Sequence, residues 1–201
     1  MTTEAAFLGK GTNSFYKQKF VDLQLSEETI EAKEFENCTF TRCAFIEVLI
    51  AQCRFVDCVF DGCTLSAVQV PDSAFPGARF LRSKVIGVDW AKAKASNLGT
   101  LEFSECELTY SSFTQLSLKK LKLKHCRCRE VDFVEADLTD GDFEGTDFEL
   151  SRFFKTNLTN VNFRKAVNYS IDVRNNTVKK AQFSLPEAVS LLHSLDIVLD
   201  P

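Results

Sequence analysis

Apolar residues recur at every fifth position along most of this chain. Between 131 and 165 the fives read VDFVE, ADLTD, GDFEG, TDFEL, SRFFK, TNLTN and VNFRK. The third place is Phe or Leu, the second is mostly Asp or Asn, and the first is small or β-branched. With the third place taken as a centre, the register runs from Leu98 through Phe113, Cys128 and Leu138 to Asn168, Val173, Val178 and Phe183. Before residue 91 the centres fall on multiples of five, from Phe15 to Trp90. Trp90 to Leu98 is a step of eight, so three residues are inserted there. A period of five matches neither the 3.6 of a helix nor the two of a strand. Amphipathic helices and alternating strands are therefore excluded for most of the chain, and a short unit repeated in register reads as a repeat array.

Composition follows from this pattern. There are 19 Phe but one Trp, three Tyr and one Met, and every Phe except Phe7 and Phe154 is a centre. A chain of 201 residues fits one domain with at most an appendage. A net charge of −4 is too mild for a nucleic-acid-binding arm or an acidic tail, and direct nucleic-acid binding is not expected. No apolar run approaches a membrane span, so no membrane association is expected. MTTEAAFLGKGTNSF lacks the basic start and apolar core of a secretory signal, and a cytoplasmic location is expected.

The pattern resembles the pentapeptide-repeat family, whose consensus reads small, Asp/Asn, Leu/Phe, polar, variable. The resemblance covers about residues 33–183. It implies an all-β solenoid, a right-handed quadrilateral β-helix with one pentapeptide per side. Four pentapeptides then make one coil, and about eight coils are followed by a C-terminal helix. The centre and the residue two before it would face inward. Phe20, Phe40, Phe60 and Phe80 would form one column, Phe15, Phe35, Phe55 and Phe75 a second, and Leu98, Leu118, Leu138 and Leu158 a third. At an interstrand spacing of ~4.8 Å the rod is roughly 40 Å long. Residues 1–32 read as a degenerate first coil or cap, because Asn13, Gln18, Leu23 and Glu28 are poor inward residues. Repeats then fill 33–90 and 98–183, with a loop at 91–97 and a helix and tail at 184–201.

Eight cysteines raise the question of metal or disulfides. Cys38, Cys43, Cys53, Cys58, Cys63, Cys106 and Cys126 all fall two before a centre, and Cys128 is a centre, so all eight are expected to be small core residues in the reduced state. His125, Cys126 and Cys128 cannot converge on one ion, since His125 faces out. Neither His125 nor His193 has a nucleophile beside it, and there is no glycine-rich phosphate loop. No enzyme activity, metal or cofactor is expected, and a filled core leaves no room for a pocket.

Residues 130–149, one full coil, hold nine acids and no base: Glu130, Asp132, Glu135, Asp137, Asp140, Asp142, Glu144, Asp147 and Glu149. One reading is an anionic belt that imitates a DNA backbone. The other is a charge ladder between coils. Lys120, Lys122, Lys124, Arg127 and Arg129 lie one coil before Asp140, Asp142, Glu144, Asp147 and Glu149, and Arg152, Lys155 and Arg164 lie one coil after Asp132, Glu135 and Glu144. Both readings stay open here. Asp137 has no basic residue one coil away (Ser117, Asn157), so it is expected to be the acid most available to a partner.

After Phe183 the period ends. Ser184-Leu185-Pro186-Glu187 reads as a capping box opening a helix. Leu185, Val189, Leu191, Leu192 and Leu195, with Ile197, Val198 and Leu199 as an extended tail, exceed what covering the rod's end requires, so a two-fold dimer through the C-termini is expected. The interruption AKAKASN at 91–97 reads as a small, mobile, cationic loop in which Lys92 and Lys94 would meet a partner. The order of repeats, interruption, repeats and FSLPEAVSLLHSLDIVL resembles the topoisomerase-protection branch of the family, which includes the Qnr quinolone-resistance and the albicidin-resistance proteins. AVNYSIDVRNNTVKKAQFSLPEA at 166–188 is similar to the latter. That resemblance implies a dimeric, DNA-like rod that binds DNA gyrase or topoisomerase IV and counteracts a poison, with Glu130, Asp132, Glu135, Asp137, Asp140, Asp142 and Asp147 as candidate contacts. A scaffold with an unrelated partner is the alternative.

Overall fold

The computed structural model describes residues 13–94, 98–195 and 197. The chain forms a four-sided β-solenoid of about eight turns, closed by one short C-terminal helix. Each side is a short strand or a single bridge, and all pairing is parallel to the coil above. The register is direct: Phe20 pairs with Phe40, Phe40 with Phe60 and Phe60 with Phe80. The insertion lengthens one coil only. Phe80 pairs with Phe103 and Lys84 with Glu107, three places beyond the regular step, and the pairing of Phe103 with Leu123 restores it.

The core is a set of columns, because like side chains recur on each face. Rings in the Phe20 column stack at 4.9, 4.6 and 4.7 Å between centroids up to Phe80, and Phe103 adds another at 4.9 Å. The Phe15 column stacks similarly up to Phe75. Trp90 replaces the aliphatic centres Ile30, Ile50 and Val70, and Phe75, Phe80 and Phe103 meet it edge-on. The expected centres fail near the far end. Asn168 is exposed with φ 58°, and Tyr169 and Ile171 are buried instead, Ile171 pairing with Phe153 at a step of 18. A polar amide in an apolar column loses its water without a partner, so the chain shifts by one to bury the ring beside it.

Most sides end in a corner whose last residue has positive φ, and the corners come in two kinds. In closed corners the centre's carbonyl accepts from the N–H three residues on, as Phe75 does from Ala78 at 3.1 Å and Leu138 from Gly141 at 3.0 Å. Phe75-Pro76-Gly77-Ala78 has the residues such a turn favours, Pro second and Gly third at φ 72°. In open corners that bond is not made. A Cys, Ser or Thr of the next coil takes its place. Ser83 Oγ donates to Phe60 C=O at 3.1 Å and accepts from Cys63 N–H at 2.9 Å, and Ser73 does the same for Ile50 and Cys53. The thiols of Cys38, Cys43, Cys53, Cys58, Cys63, Cys106 and Cys126 each donate to the carbonyl of a centre in the coil before. Position two before the centre is therefore not merely small; at an open corner it satisfies buried backbone. The column Val48, Val68 and Val88 is apolar and donates nothing. All eight cysteines are free and buried. Burial pushes the thiol of Cys53 up to about 11, that of Cys58 up to about 12, and that of Cys128 well above its ordinary value.

Candidate functional site: an acidic coil and an apolar end

The acids of 130–149 divide by position in the pentapeptide. Asp132, Asp137, Asp142 and Asp147 each precede a centre, and each Oδ1 accepts the N–H two residues on, at 3.0, 3.2, 3.4 and 3.1 Å. Asn157 and Asn162 do the same one coil later. At these positions the centre's carbonyl also accepts from the N–H three residues on, at Phe133, Leu138, Phe143, Phe148, Leu158 and Phe163 alike, a bond that Leu108, Phe113 and Leu118 make without an Asp or Asn before them. These four aspartates thus brace closed corners, in the manner of an Asx turn. Glu130, Glu135, Asp140, Glu144 and Glu149 project outward from the corners or beside them.

Cross-coil ion pairs form, in a pattern only partly that of a ladder counted by whole coils. Arg152 meets Asp132 at 3.3 Å, Lys155 meets Glu135 at 3.6 Å and Arg129 meets Glu149 at 3.7 Å, as the stacking requires. Other pairs depart from it. Lys124 meets Asp142 at 2.9 Å rather than Glu144, and Lys165 rather than Arg164 meets Glu144 at 2.8 Å. Lys122 meets Glu102 at 3.2 Å rather than Asp142. Asp137 is not free: Lys119 reaches it at 3.5 Å and the Thr139 hydroxyl donates to it. The reason is geometric. A long cation after one centre leans toward the carboxylate before the centre in the coil above, a diagonal neighbour that counting by whole coils misses. Asp140 takes only the Asn160 amide, at 3.0 Å, and has no ion pair among the described residues. Asp147 likewise accepts an amide, from Asn168 at 2.8 Å, and Glu130 lies 3.7 Å from Arg129.

The carboxyls register these contacts. Burial raises Asp142, but hydrogen bonds from Lys124 and Asn162 outweigh it and hold the group below its ordinary value. Burial of Asp137 is likewise outweighed by Thr139 and Lys119. Gln115 and then Lys155 lower Glu135, and Lys165 lowers Glu144.

The interruption is anchored rather than loose through Lys94. Trp90–Lys92 is a turn of 3₁₀-helix, Ala93 is buried, Lys92 C=O accepts from Asp72 N–H at 3.1 Å and Lys94 N–H donates to Ser73 C=O at 2.8 Å. The Lys92 and Lys94 side chains remain on the surface. The rest of the expected loop, 95–97, lies outside the described residues.

The C-terminal segment also differs from its expected form. The helix Glu187–Leu195 is 3₁₀, and its capping box does not form. Ser184 Oγ accepts instead from Lys165 N–H at 3.2 Å, and Glu187 Oε1 from Asn168 N–H at 2.7 Å. These side chains supply acceptors that the next coil's carbonyls would otherwise provide. With three residues per turn, side chains eclipse at every third place. Ala188, Leu191 and Ser194 form one stripe, and Leu191 packs against the core, contrary to its expected outward position. Val189, Leu192 and Leu195 form an exposed apolar stripe, and Leu185, which is 81% exposed, and Ile197 are also on the surface. Val198 and Leu199 lie outside the described residues.

Among the described residues no His, Cys, Asp or Glu cluster could hold a metal ion, and no helix is long and apolar enough to cross a membrane. A Cβ on Gly145 would run into the ring of His125, which lies outside the core, away from Cys126 and Cys128.

Family models place the chain. Residues 33–99 match a pentapeptide repeat region, and 102–140, 111–153 and 132–167 match pentapeptide repeats of eight copies. The chain belongs to the pentapeptide-repeat family. No curated protein sequence matches it significantly. It is similar in fold to two trypsin-treated variants of QnrB1, a plasmid-mediated fluoroquinolone resistance protein. One is 20% identical with a TM-score of 0.67, covering 90% of this chain and 100% of that one; the other is 18% identical with a TM-score of 0.65, covering 96% and 95%.

Proposed function

We propose that this protein is a non-catalytic mimic of DNA that binds a bacterial type II topoisomerase, DNA gyrase or topoisomerase IV, and protects it from a poison of the albicidin or quinolone type. The observation that carries this reading is the acidic coil on a filled, rigid rod. Outward acids fixed around one level of the rod give it a concentrated negative field, which a groove built for the phosphates of a duplex would attract. The corner acids Glu130, Glu135 and Asp140 would make the contacts, with Asp140 foremost because no cation neutralises it among the described residues. The corner-closing Asp132, Asp137, Asp142 and Asp147 would contribute field rather than contact. The similarity in fold to a fluoroquinolone resistance protein supports the reading, as does the terminal segment's resemblance to albicidin-resistance proteins.

The apolar stripe Val189, Leu192 and Leu195, with Leu185 and Ile197, would join two copies end to end. A two-fold rod could then engage both halves of a two-fold enzyme, and the second contact would gain from effective concentration. Lys92 and Lys94 would sense the poisoned complex.

Supercoiling gels with purified gyrase, with and without a fluoroquinolone, test this. Wild-type protein should restore supercoiling in the presence of drug, Asp140→Lys should weaken the effect without changing the oligomer, and Leu192→Asp with Leu195→Asp should give a folded monomer that loses most of it. No effect on gyrase or topoisomerase IV under any condition would leave a scaffold with an unrelated partner as the function.

A further inference from the structure

A cleft of about 480 Å3 separates the last coil from the C-terminal 3₁₀-helix. That volume falls within the range of about 300–1,000 Å3 typical of small-molecule sites. Tyr169 to Asp172 and Arg174 line one wall, and Ser190, His193 and Ser194 the other. Ser190 and His193 belong to the third stripe of the helix, with Glu187, distinct from the core-facing and the exposed apolar stripes.

Two hydroxyls in this cleft lack partners. Tyr169 is 3% exposed, and among the described residues neither Tyr169 Oη nor the buried Ser190 Oγ makes a hydrogen bond. Such groups cost free energy unless something in the cleft satisfies them. The cleft's other polar groups are largely engaged. Asp172 accepts from Arg174 N–H at 2.9 Å, from its guanidinium at 3.2 and 3.3 Å, and from Asn175 at 2.6 Å. Ser194 Oγ donates to Leu191 C=O and accepts from Val173 N–H. The groups left over, the hydroxyls of Tyr169, Ser170 and Ser190 and the imidazole of His193, can each donate, on walls whose one lining carboxylate is saturated. Burial, with Glu187 adding to it, pushes the Tyr169 phenol up to about 12, so it keeps its proton to donate.

We propose that this cleft binds a small organic oxyanion, a carboxylate or a phosphate, through Tyr169 Oη, Ser190 Oγ and His193. The site lies within one chain and does not depend on the topoisomerase reading.

The two histidines make the test internal, since His125 is packed under Gly145 on another part of the rod. Ring resonances are followed by NMR at fixed pH while malonate, or in a second arm inorganic phosphate, replaces chloride at constant ionic strength. The His193 signal should move and saturate while His125 stays still. Saturation by malonate alone assigns a carboxylate ligand, by phosphate alone a phosphate, and by both the shared oxyanion chemistry. Tyr169→Phe and Ser190→Ala should each raise the half-saturating concentration about tenfold. Should Tyr169→Phe fail to fold, Ser190→Ala alone decides. Parallel movement of both histidines, a His193 signal that does not saturate, or an unchanged midpoint in Ser190→Ala would overturn the proposal.

Discussion

The two repeat blocks share a fold and a period but hold their corners by different means. In the first, up to Phe60, corners stay open, and at most of them a thiol or hydroxyl from the coil above reaches down to the centre's carbonyl, the corners under Val48, Val68 and Ala78 excepted. In the second, most corners close on the centre's own carbonyl, and at 132, 137, 142, 147, 157 and 162 an Asp or Asn before the centre takes one N–H as well. The residue stacked above a closed corner needs no donor: Ala136 lies over Leu116, Gly141 over Leu121 and Val161 over Gly141. Pro71 and Pro76 mark where closed corners begin. One block therefore depends on contacts between coils and cysteine-rich columns, the other on turns closed within a coil. The difference also sorts the acids. A carboxylate that braces a corner serves the fold whatever the protein binds, so acid count alone overstates the anionic surface available to a partner.

The largest effect should come from the inter-coil stack of the first block. Phe60 lies between Phe40 and Phe80 at 4.6 and 4.7 Å. Phe60→Ala should cost about 3–5 kcal/mol in urea unfolding, since neighbours fixed by their own coils cannot collapse into the gap. Phe154, 45% exposed, should lose under about 1 kcal/mol on the same change. Equal losses would mean that the columns do not carry the block.

A matched pair of threonines separates the two kinds of corner. Thr146 Oγ1 donates to Leu123 C=O and accepts from Cys126 N–H at 3.1 Å, bridging an open corner. Thr156 Oγ1 donates to Phe133 C=O at 2.9 Å, but that carbonyl already accepts from Ala136 N–H. Both side chains are buried. Thr146→Val should leave two buried groups unpaired and cost about 1–3 kcal/mol, and Thr156→Val should cost about 1 kcal/mol or less. Similar urea midpoints for the two variants would show that the closed corner does not satisfy its carbonyl.

Much of this architecture was legible in the sequence. The period of five located the core centres up to Phe163, and the step from Trp90 to Leu98 located the three-residue insertion, because side-chain volume alone decides what fits a filled column. What stayed illegible depends on hydrogen bonds and reach. The aspartate before each centre reads the same whether it closes a corner or faces a partner. Lys119 pairs with Asp137 and Lys165 with Glu144, at steps that a ladder counted by whole coils does not contain. In the C-terminal segment Ser184 and Glu187 bond the last coil instead of each other, a choice that the local sequence does not mark, and the register at Tyr169 yields to the cost of burying Asn168.

The smallest effect concerns acid, and it tests whether the second block's corners depend on charge. Asp142 both closes a corner and meets Lys124, and its carboxyl is held below the ordinary value of 3.8. A depressed folded value means that the ionised form is favoured in the native state. Its contribution is present above pH 3.8 and is lost as pH falls from there through the folded value. Asn closes the same corner at 157 and 162 without titrating. Asp142→Asn should therefore keep the closed corner, lose the Lys124 pair at neutral pH, and show a shallower fall in urea midpoint between pH 6 and pH 3 than the wild type. A fall as steep as the wild type's would mean that other carboxylates, such as Asp172 held at about 2 by Arg174, set the acid limit. A variant that unfolds at neutral pH would show that the corner needs the charge itself and not only an acceptor, which would return Asp132, Asp137 and Asp147 to the electrostatics of the acidic coil.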